Sequence, residues 1–119
     1  MLYNYHAVVL DRVNGIRPAK VNALINRILG FWLNDDAEKR DYVLMKPEPD
    51  YWTAFIQLLP KVHPGTLLIF QKIYQSKANK VAWRKIIQHE QVTVAIDLYY
   101  IGLVFFREGQ AKESFKIRF

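Results

Sequence analysis

The basic side chains of this chain are concentrated in a stretch that contains no acidic residue. No Asp or Glu occurs between Tyr51 and His89, whereas acidic residues cluster between positions 35 and 50. The acid-free stretch carries Lys61, Lys72, Lys77, Lys80, Arg84 and Lys85. Lysine and arginine neutralise phosphate charge, and arginine and glutamine also hydrogen-bond to base edges. The pattern therefore predicts a surface that attracts nucleic acid.

The predicted interface combines a basic face from residues 61–88 with basic residues near the C-terminus. A helix in the first region would face the nucleic acid, and a C-terminal hairpin would contact its phosphates. The predicted binding residues are Lys77, Lys80, Arg84, Lys85, Gln88, Arg107, Lys112, Lys116 and Arg118. The sequence leaves the choice between DNA and RNA open. An alternative interface for RNA or single strands would use aromatic side chains of a sheet, namely Tyr99, Phe105 and Phe115.

Residues that could perform catalysis are scattered along the chain. His6, His63 and His89 would have to converge through the fold, as in a metal-independent ribonuclease. Asp97 could belong to a nuclease of the restriction-endonuclease type, in which a Glu-x-Lys motif follows such an aspartate. The nearest candidate here, Glu113-Ser-Phe-Lys116, has two residues between Glu and Lys instead of one. Phosphate-binding loops, zinc-protease pairs and serine-hydrolase elbows are absent from the sequence. We therefore expect a non-enzymatic protein, with a small metal-dependent or toxin-like nuclease as the third hypothesis.

The composition excludes several other kinds of site. The chain has no cysteine, so it has neither disulfides nor thiolate metal ligands. Asp35, Asp36 and Glu38 carry carboxylates, but their spacing matches no calcium-binding loop. We predict no metal and no cofactor.

Length and hydropathy predict one α+β domain that spans residues 1–119. The chain is 51% hydrophobic and 24% charged, with a net charge of +6, which is typical of a folded basic domain. Its N-terminus lacks the features of a signal peptide, and with no cysteine this favours the cytoplasm. The longest nearly apolar run, residues 92–106, is shorter than the roughly 20 residues of a membrane-spanning helix.

The first half of the chain contains two amphipathic helical patterns and two strand patterns. Residues 3–13 alternate as a short strand does, and residues 18–32 place apolar side chains on one helical face. Residues 41–46 predict a short strand, and Asp50 is placed to cap a helix that ends before Pro60.

The second half predicts two helices followed by a C-terminal hairpin. The apolar run 66–75 is assigned to a helix, and Asn79 is assigned as the cap of a second helix that ends at Gln88. Residues 92–106 predict one long strand with a bulge at Gly102, followed by an antiparallel final strand. The whole is expected to have three to four helices on a small, mostly antiparallel sheet. Residues 66–119 also permit a winged-helix-like arrangement.

A partner protein is the second functional hypothesis. A domain of this size cannot bury all of its apolar side chains. Phe115, Ile117 and Phe119 alternate along the final strand, which could pair with a second copy at a sheet edge. The alternative function is therefore a protein–protein interaction module or a subunit of a larger complex, such as an adaptor or a homodimerisation domain.

Overall fold

Five strands and the helices packed on them form the fold of the described chain. The computed structural model describes residues 23, 25–28, 30, 40–109 and 111–117. The elements are β1 (Asp41–Leu44), α1 (Tyr51–Leu58), a 3-10 helix (Leu59–Lys61), β2 (Thr66–Gln71), α2 (Lys77–Gln88), β3 (Val94–Asp97), β4 (Ile101–Phe105) and β5 (Glu113–Lys116). The predicted α+β class is confirmed. The strand predicted at residues 3–13 lies outside the described residues.

The sheet is mixed rather than mostly antiparallel, which corrects the prediction. Its spatial order is β1-β2-β4-β3-β5. The outer pairs, β1 with β2 and β3 with β5, are parallel. The inner pairs, β2 with β4 and β3 with β4, are antiparallel. Helix α1 connects β1 to β2, because two neighbouring parallel strands need a crossover connection.

The segment predicted as a helix at residues 66–75 instead forms the interior strand β2 and the turn that follows it. Leu68 and Phe70 face one core of the protein, while Leu67 and Ile69 face the other. A strand that is buried on both faces is apolar throughout, so its sequence lacks the alternation that marks a half-exposed strand. This assignment also excludes the winged-helix arrangement, because a strand replaces the first of its two helices.

The predicted long strand at residues 92–106 folds back on itself as the hairpin β3–β4. At its tip the Leu98 N–H donates to the Ile101 carbonyl at 2.9 Å. Asp97 accepts the Tyr99 N–H through Oδ1 at 2.8 Å, which is an Asx turn, and Tyr99 has a φ of 70°. The turn contains neither Gly nor Asn, which are the usual sequence signals of a tight hairpin.

The final strand does not form the predicted hairpin with its predecessor. β5 pairs in parallel with β3, in a register that places Lys116 beside Asp97 and Ser114 beside Ala95. β4 is already paired on both sides, by β2 and β3, so it has no free edge for β5. The chain after β4 therefore returns to lie outside β3.

The two principal helices are capped by polar side chains. Asp50 accepts the Thr53 N–H through Oδ1 at 2.8 Å, as predicted for α1. Helix α2 begins at Lys77 because Ser76, and not Asn79, is its cap; the Ser76 hydroxyl accepts the Asn79 N–H at 3.1 Å. The predicted end of α2 at Gln88 is confirmed.

Separate apolar cores lie on the two faces of the sheet. Helices α1 and α2 cover one face, where Phe55, Trp83 and Ile86 are buried. Ile25 is fully buried against the other face, in a segment whose described residues are helical. This agrees with the helix predicted at 18–32. Among the described residues, no helix has the length and apolar character needed to cross a bilayer.

Gly102 allows a helix side chain to pack closely on the sheet. A Cβ atom at this position would lie 2.4 Å from a ring carbon of Trp83 on α2. The strand register runs without interruption through Gly102, opposite Phe70 on one side and Asp97 on the other, so the predicted bulge is wrong. The glycine is needed because the indole rests on the strand backbone.

Candidate functional site

A groove with a volume of about 190 Å³ lies between α2 and the neighbouring strands β3 and β5. Its basic residues come from two elements that are distant in sequence. Lys80 and Arg84 are one turn apart on α2, and Lys116 is on β5. We call this feature the basic groove. Sequence analysis predicted all three of these residues as binding residues, and the fold brings them to one place.

All three basic side chains of the groove are exposed to solvent. No carboxylate within the described part of the chain forms an ion pair with Lys80, Arg84 or Lys116. Like charges held around one concave surface add their potentials there, and walls of low polarity strengthen the field. The groove therefore favours an anion over a neutral molecule.

One carboxylate, that of Asp97, forms part of the same groove. Asp97 is only 4% exposed and stands at the end of β3. Its Oδ2 accepts a hydrogen bond from the Tyr74 hydroxyl, and its Oδ1 accepts the Tyr99 N–H. Both oxygens are thus occupied by donors of the protein itself, as buried polar groups generally are. The arrangement fixes the hairpin tip, and the groove keeps an excess of positive charge.

The apolar wall of the groove includes the indole of Trp83. This side chain is 3% exposed, and its Nε1 has no hydrogen-bond partner among the described residues. Ile87, Ala95 and Phe115 extend the apolar lining, and Ser114 adds a hydroxyl. The groove thus combines cationic rims with an apolar wall, which suits a ligand that carries both a charged and a flat apolar part.

The remaining predicted binding residues that the structure describes do not line the basic groove. Lys77 and Gln88 are exposed at opposite ends of α2, and Arg107 is exposed after β4. Lys85 is exposed but its ammonium lies 5.2 Å from the ring centre of Trp52, on the side of α2 that meets α1. Arg118 lies outside the described residues.

Lys112 has a structural role that sequence analysis did not anticipate. Its Nζ donates to the carbonyls of His89, at 2.7 Å, and Val92, at 2.8 Å. Partial burial lowers the pKa of the Lys112 amine from its usual value. These bonds attach the segment before β5 to the end of α2, so this ammonium is held by the protein rather than offered to a ligand.

The two histidines that the structure describes, His63 and His89, hydrogen-bond to other groups of the protein. His63 Nε2 lies 2.9 Å from Asp41 Oδ2, and its Nδ1 accepts the Gly65 N–H at 3.0 Å. His89 Nδ1 accepts the Gln91 N–H at 3.1 Å. Within the described residues, no three His, Asp or Glu side chains are grouped closely enough to hold a metal ion. His6 and the acidic residues 35–38 lie outside that part.

Sequence analysis missed Tyr74 and Ser114 as groove residues. Tyr74 lies two residues before the cap of α2, in a segment that was predicted to be helical. Its role depends on the pairing of β2 with β4, which brings the ends of distant strands together. One local signal for this part of the groove was present in the sequence. Asp97 interrupts an apolar run, and a short acidic side chain in such a run is typical of a turn that it stabilises.

No protein-family model matches the chain, and no curated protein or solved structure matches it significantly. Any function must therefore be inferred from the geometry of the basic groove.

Proposed function

We propose that this chain binds nucleic acid without catalysing a reaction on it, through phosphates held in the basic groove. The observation that carries the proposal is the convergence of Lys80, Arg84 and Lys116, from a helix and a distant strand, on one concave surface. The only carboxylate lining the groove, within the described residues, is Asp97, and its oxygens already accept hydrogen bonds from the protein.

The chemistry of the basic side chains suits phosphate groups. The arginine guanidinium donates two parallel hydrogen bonds to a phosphate, whereas each lysine acts as a mobile point charge. Neutralising phosphates releases counterions from nucleic acid, and this release drives binding that weakens steeply with salt. Lys80 and Arg84 belong to α2 and Lys116 belongs to β5, so a phosphodiester backbone in the groove would be contacted from two elements.

The same groove gives no support to a nuclease. Asp97 is 4% exposed and accepts hydrogen bonds from Tyr74 and Tyr99, so it is poorly placed to hold a metal ion or a water molecule. His63 and His89 each accept a backbone N–H at one ring nitrogen. Both histidines are therefore positioned as parts of loops.

We expect Arg84→Ala to weaken binding of a fluorescein-labelled oligonucleotide roughly tenfold, because it removes the charge-assisted contact of the guanidinium with a phosphate. The slope of log affinity against log salt should become shallower by about 0.7 for a single strand, or about 0.9 for a duplex, for each phosphate that is no longer neutralised. Fluorescence anisotropy over a salt series measures both quantities. Gel analysis of the probe afterwards should find it intact.

Lys61→Ala is the matched control for this experiment. Lys61 is an exposed lysine of the same acid-free stretch, but it lines a different cavity beside α1 and β1. Its removal lowers the net charge by the same amount as Arg84→Ala and should change the affinity far less. Equal reductions in affinity for the two variants would indicate that only net charge matters. Absence of salt-dependent binding by the unmodified chain would refute the proposal.

A protein partner along β5 is the second candidate, and one observation favours it. All four side chains of β5 are exposed, and Phe115 and the following Ile117 are each 46% exposed. Exposed strands with apolar side chains pair readily with another chain. Light scattering of the isolated protein separates the candidates, because a dimer that persists at high salt without nucleic acid would favour the second.

A further inference from the structure

The tip of the β3–β4 hairpin presents aromatic rings beside the basic groove. Tyr99 and Tyr100 are the two residues of the tip, and they are 46% and 40% exposed. The ring of Tyr99 stacks on that of Tyr74, with centres 5.5 Å apart and an angle of 23° between planes. Tyr100 meets Tyr99 edge to face, with centres 5.0 Å apart. We call these three residues the tyrosine cluster.

The position of the tyrosine cluster is fixed by the backbone and by Asp97. Tyr99 has a φ of 70°, a strained conformation that a bulky side chain rarely adopts. Its N–H donates to Asp97, and the Tyr100 N–H donates to the Leu98 carbonyl at 2.8 Å. Strained residues of this kind persist only where surrounding contacts impose them, and they are concentrated at functional sites.

Tyr74 connects the tyrosine cluster to the basic groove. Its ring lines the groove and stacks on Tyr99, while its hydroxyl donates to Asp97. The cationic side chains and the exposed rings therefore belong to one continuous surface. A nucleotide whose phosphate lies between Lys80 and Lys116 would have its base next to this surface.

We infer that the nucleic acid is single-stranded and that one of its bases stacks on an exposed ring of the hairpin tip, that of Tyr99 or that of Tyr100. The inference rests on the proposed function, because it takes the groove as the phosphate site. Bases in a duplex are already stacked on one another, whereas those of a single strand are free to stack on aromatic side chains. DNA and RNA single strands share this chemistry.

The test compares two single-stranded probes of equal length, one with bases and one in which every residue of the central segment is abasic. Both probes carry the same number of phosphates, so the basic groove should bind them alike. Stacking of one base should make the intact probe bind roughly 5- to 100-fold more tightly. DNA and RNA versions of the intact probe, together with the matching duplex, are measured by anisotropy at one salt concentration.

Tyr99→Phe and Tyr99→Leu form the matched pair of variants. Both impose a bulky side chain on the same left-handed backbone, so they share its conformational cost, and only phenylalanine keeps an aromatic face. The preference for the intact probe should survive in Tyr99→Phe and fall at least about threefold in Tyr99→Leu. Tyr100→Phe and Tyr100→Leu repeat the comparison at the neighbouring ring.

The outcomes separate this inference from the proposed function. If neither probe binds, the proposed function itself is wrong. If the unmodified chain binds the intact and abasic probes equally, or prefers the duplex, the groove binds phosphates but the stacking inference is overturned. This comparison needs no variant, so it holds even if a substitution in the hairpin tip prevents folding.

Discussion

Replacing Gly102 with alanine should lower the free energy of unfolding by about 2–3 kcal/mol, the cost of inserting a methyl group into a packed core. The new Cβ would lie 2.4 to 2.7 Å from three ring carbons of Trp83. The indole has little room to retreat, since it is buried between α2 and the sheet and its ring centre lies 5.8 Å from that of Phe70. Urea unfolding followed by circular dichroism measures the destabilisation.

Gly30→Ala is the control for the Gly102 prediction. A Cβ at Gly30 would have no atom within 4 Å, and this residue is helical. The substitution should be neutral or stabilising by up to about 1 kcal/mol. In a double-mutant cycle, Trp83→Leu should recover part of the cost of Gly102→Ala, because it removes the ring that the new methyl group meets. Equal stability of the two alanine variants would contradict the packing described for Trp83.

Asp97→Ala should destabilise the chain by about 3 kcal/mol, because it removes a buried carboxylate that accepts two hydrogen bonds. The Tyr74 hydroxyl and the Tyr99 N–H would both lose their acceptor. The hairpin tip would also lose the bond that holds Tyr99 at its positive φ. Chemical denaturation measures the stability, and anisotropy at a temperature where the variant is folded should find the preference for base-containing probes reduced.

Asp97→Asn distinguishes this structural role from a catalytic one. The amide oxygen still accepts the Tyr99 N–H, and the amide N–H₂ can donate to the Tyr74 hydroxyl in place of the present bond. We expect asparagine to restore more than half of the stability that alanine removes and to leave nucleic-acid binding nearly unchanged. If asparagine were as damaging as alanine to stability, the hydrogen bonds would not explain the burial of Asp97.

Local sequence patterns predicted both helices, each of which buries one face, and the short strand β1, which is buried on both faces. The apolar positions of α1 and α2 recur at helical spacing, and Asp50 was predicted as the cap of α1, whereas the cap of α2 is Ser76 and not the predicted Asn79. Strand β1 was predicted from a short apolar run before prolines. In these segments the local preference and the tertiary environment agree, so a pattern of few residues is informative.

The pairing of strands could not be predicted in the same way. Strand β2 is buried on both faces, so its apolar run resembles that of a buried helix. The turn at Tyr99 depends on an Asp97 side chain rather than on a glycine, so the local pattern predicted an uninterrupted strand there. The parallel pairing of β5 with β3 follows from the occupied edges of β4, which is a property of the whole sheet.

The candidate binding residues were predicted from their charge, and the fold places them at several separate positions. Lys80, Arg84 and Lys116 share the basic groove. Lys85 lies over Trp52, and Lys112 donates to backbone carbonyls, although their charges are the same. Charge can be read from sequence, but the contacts that occupy a charged side chain depend on elements that are distant along the chain. Among the aromatic candidates, Phe105 is buried, whereas Tyr99 and Phe115 are exposed.

Binding at the basic groove is tested most directly by titrating ¹⁵N-labelled protein with a short single-stranded oligonucleotide and following the amide chemical shifts. We expect the shifts to change at α2 near Lys80 and Arg84, at β5 near Lys116, and at the hairpin tip. Two results would contradict the claim that the basic groove binds nucleic acid. One is a set of shift changes centred on the cavity that Lys46 and Lys61 line, and the other is the absence of any shift change when the oligonucleotide is in large excess.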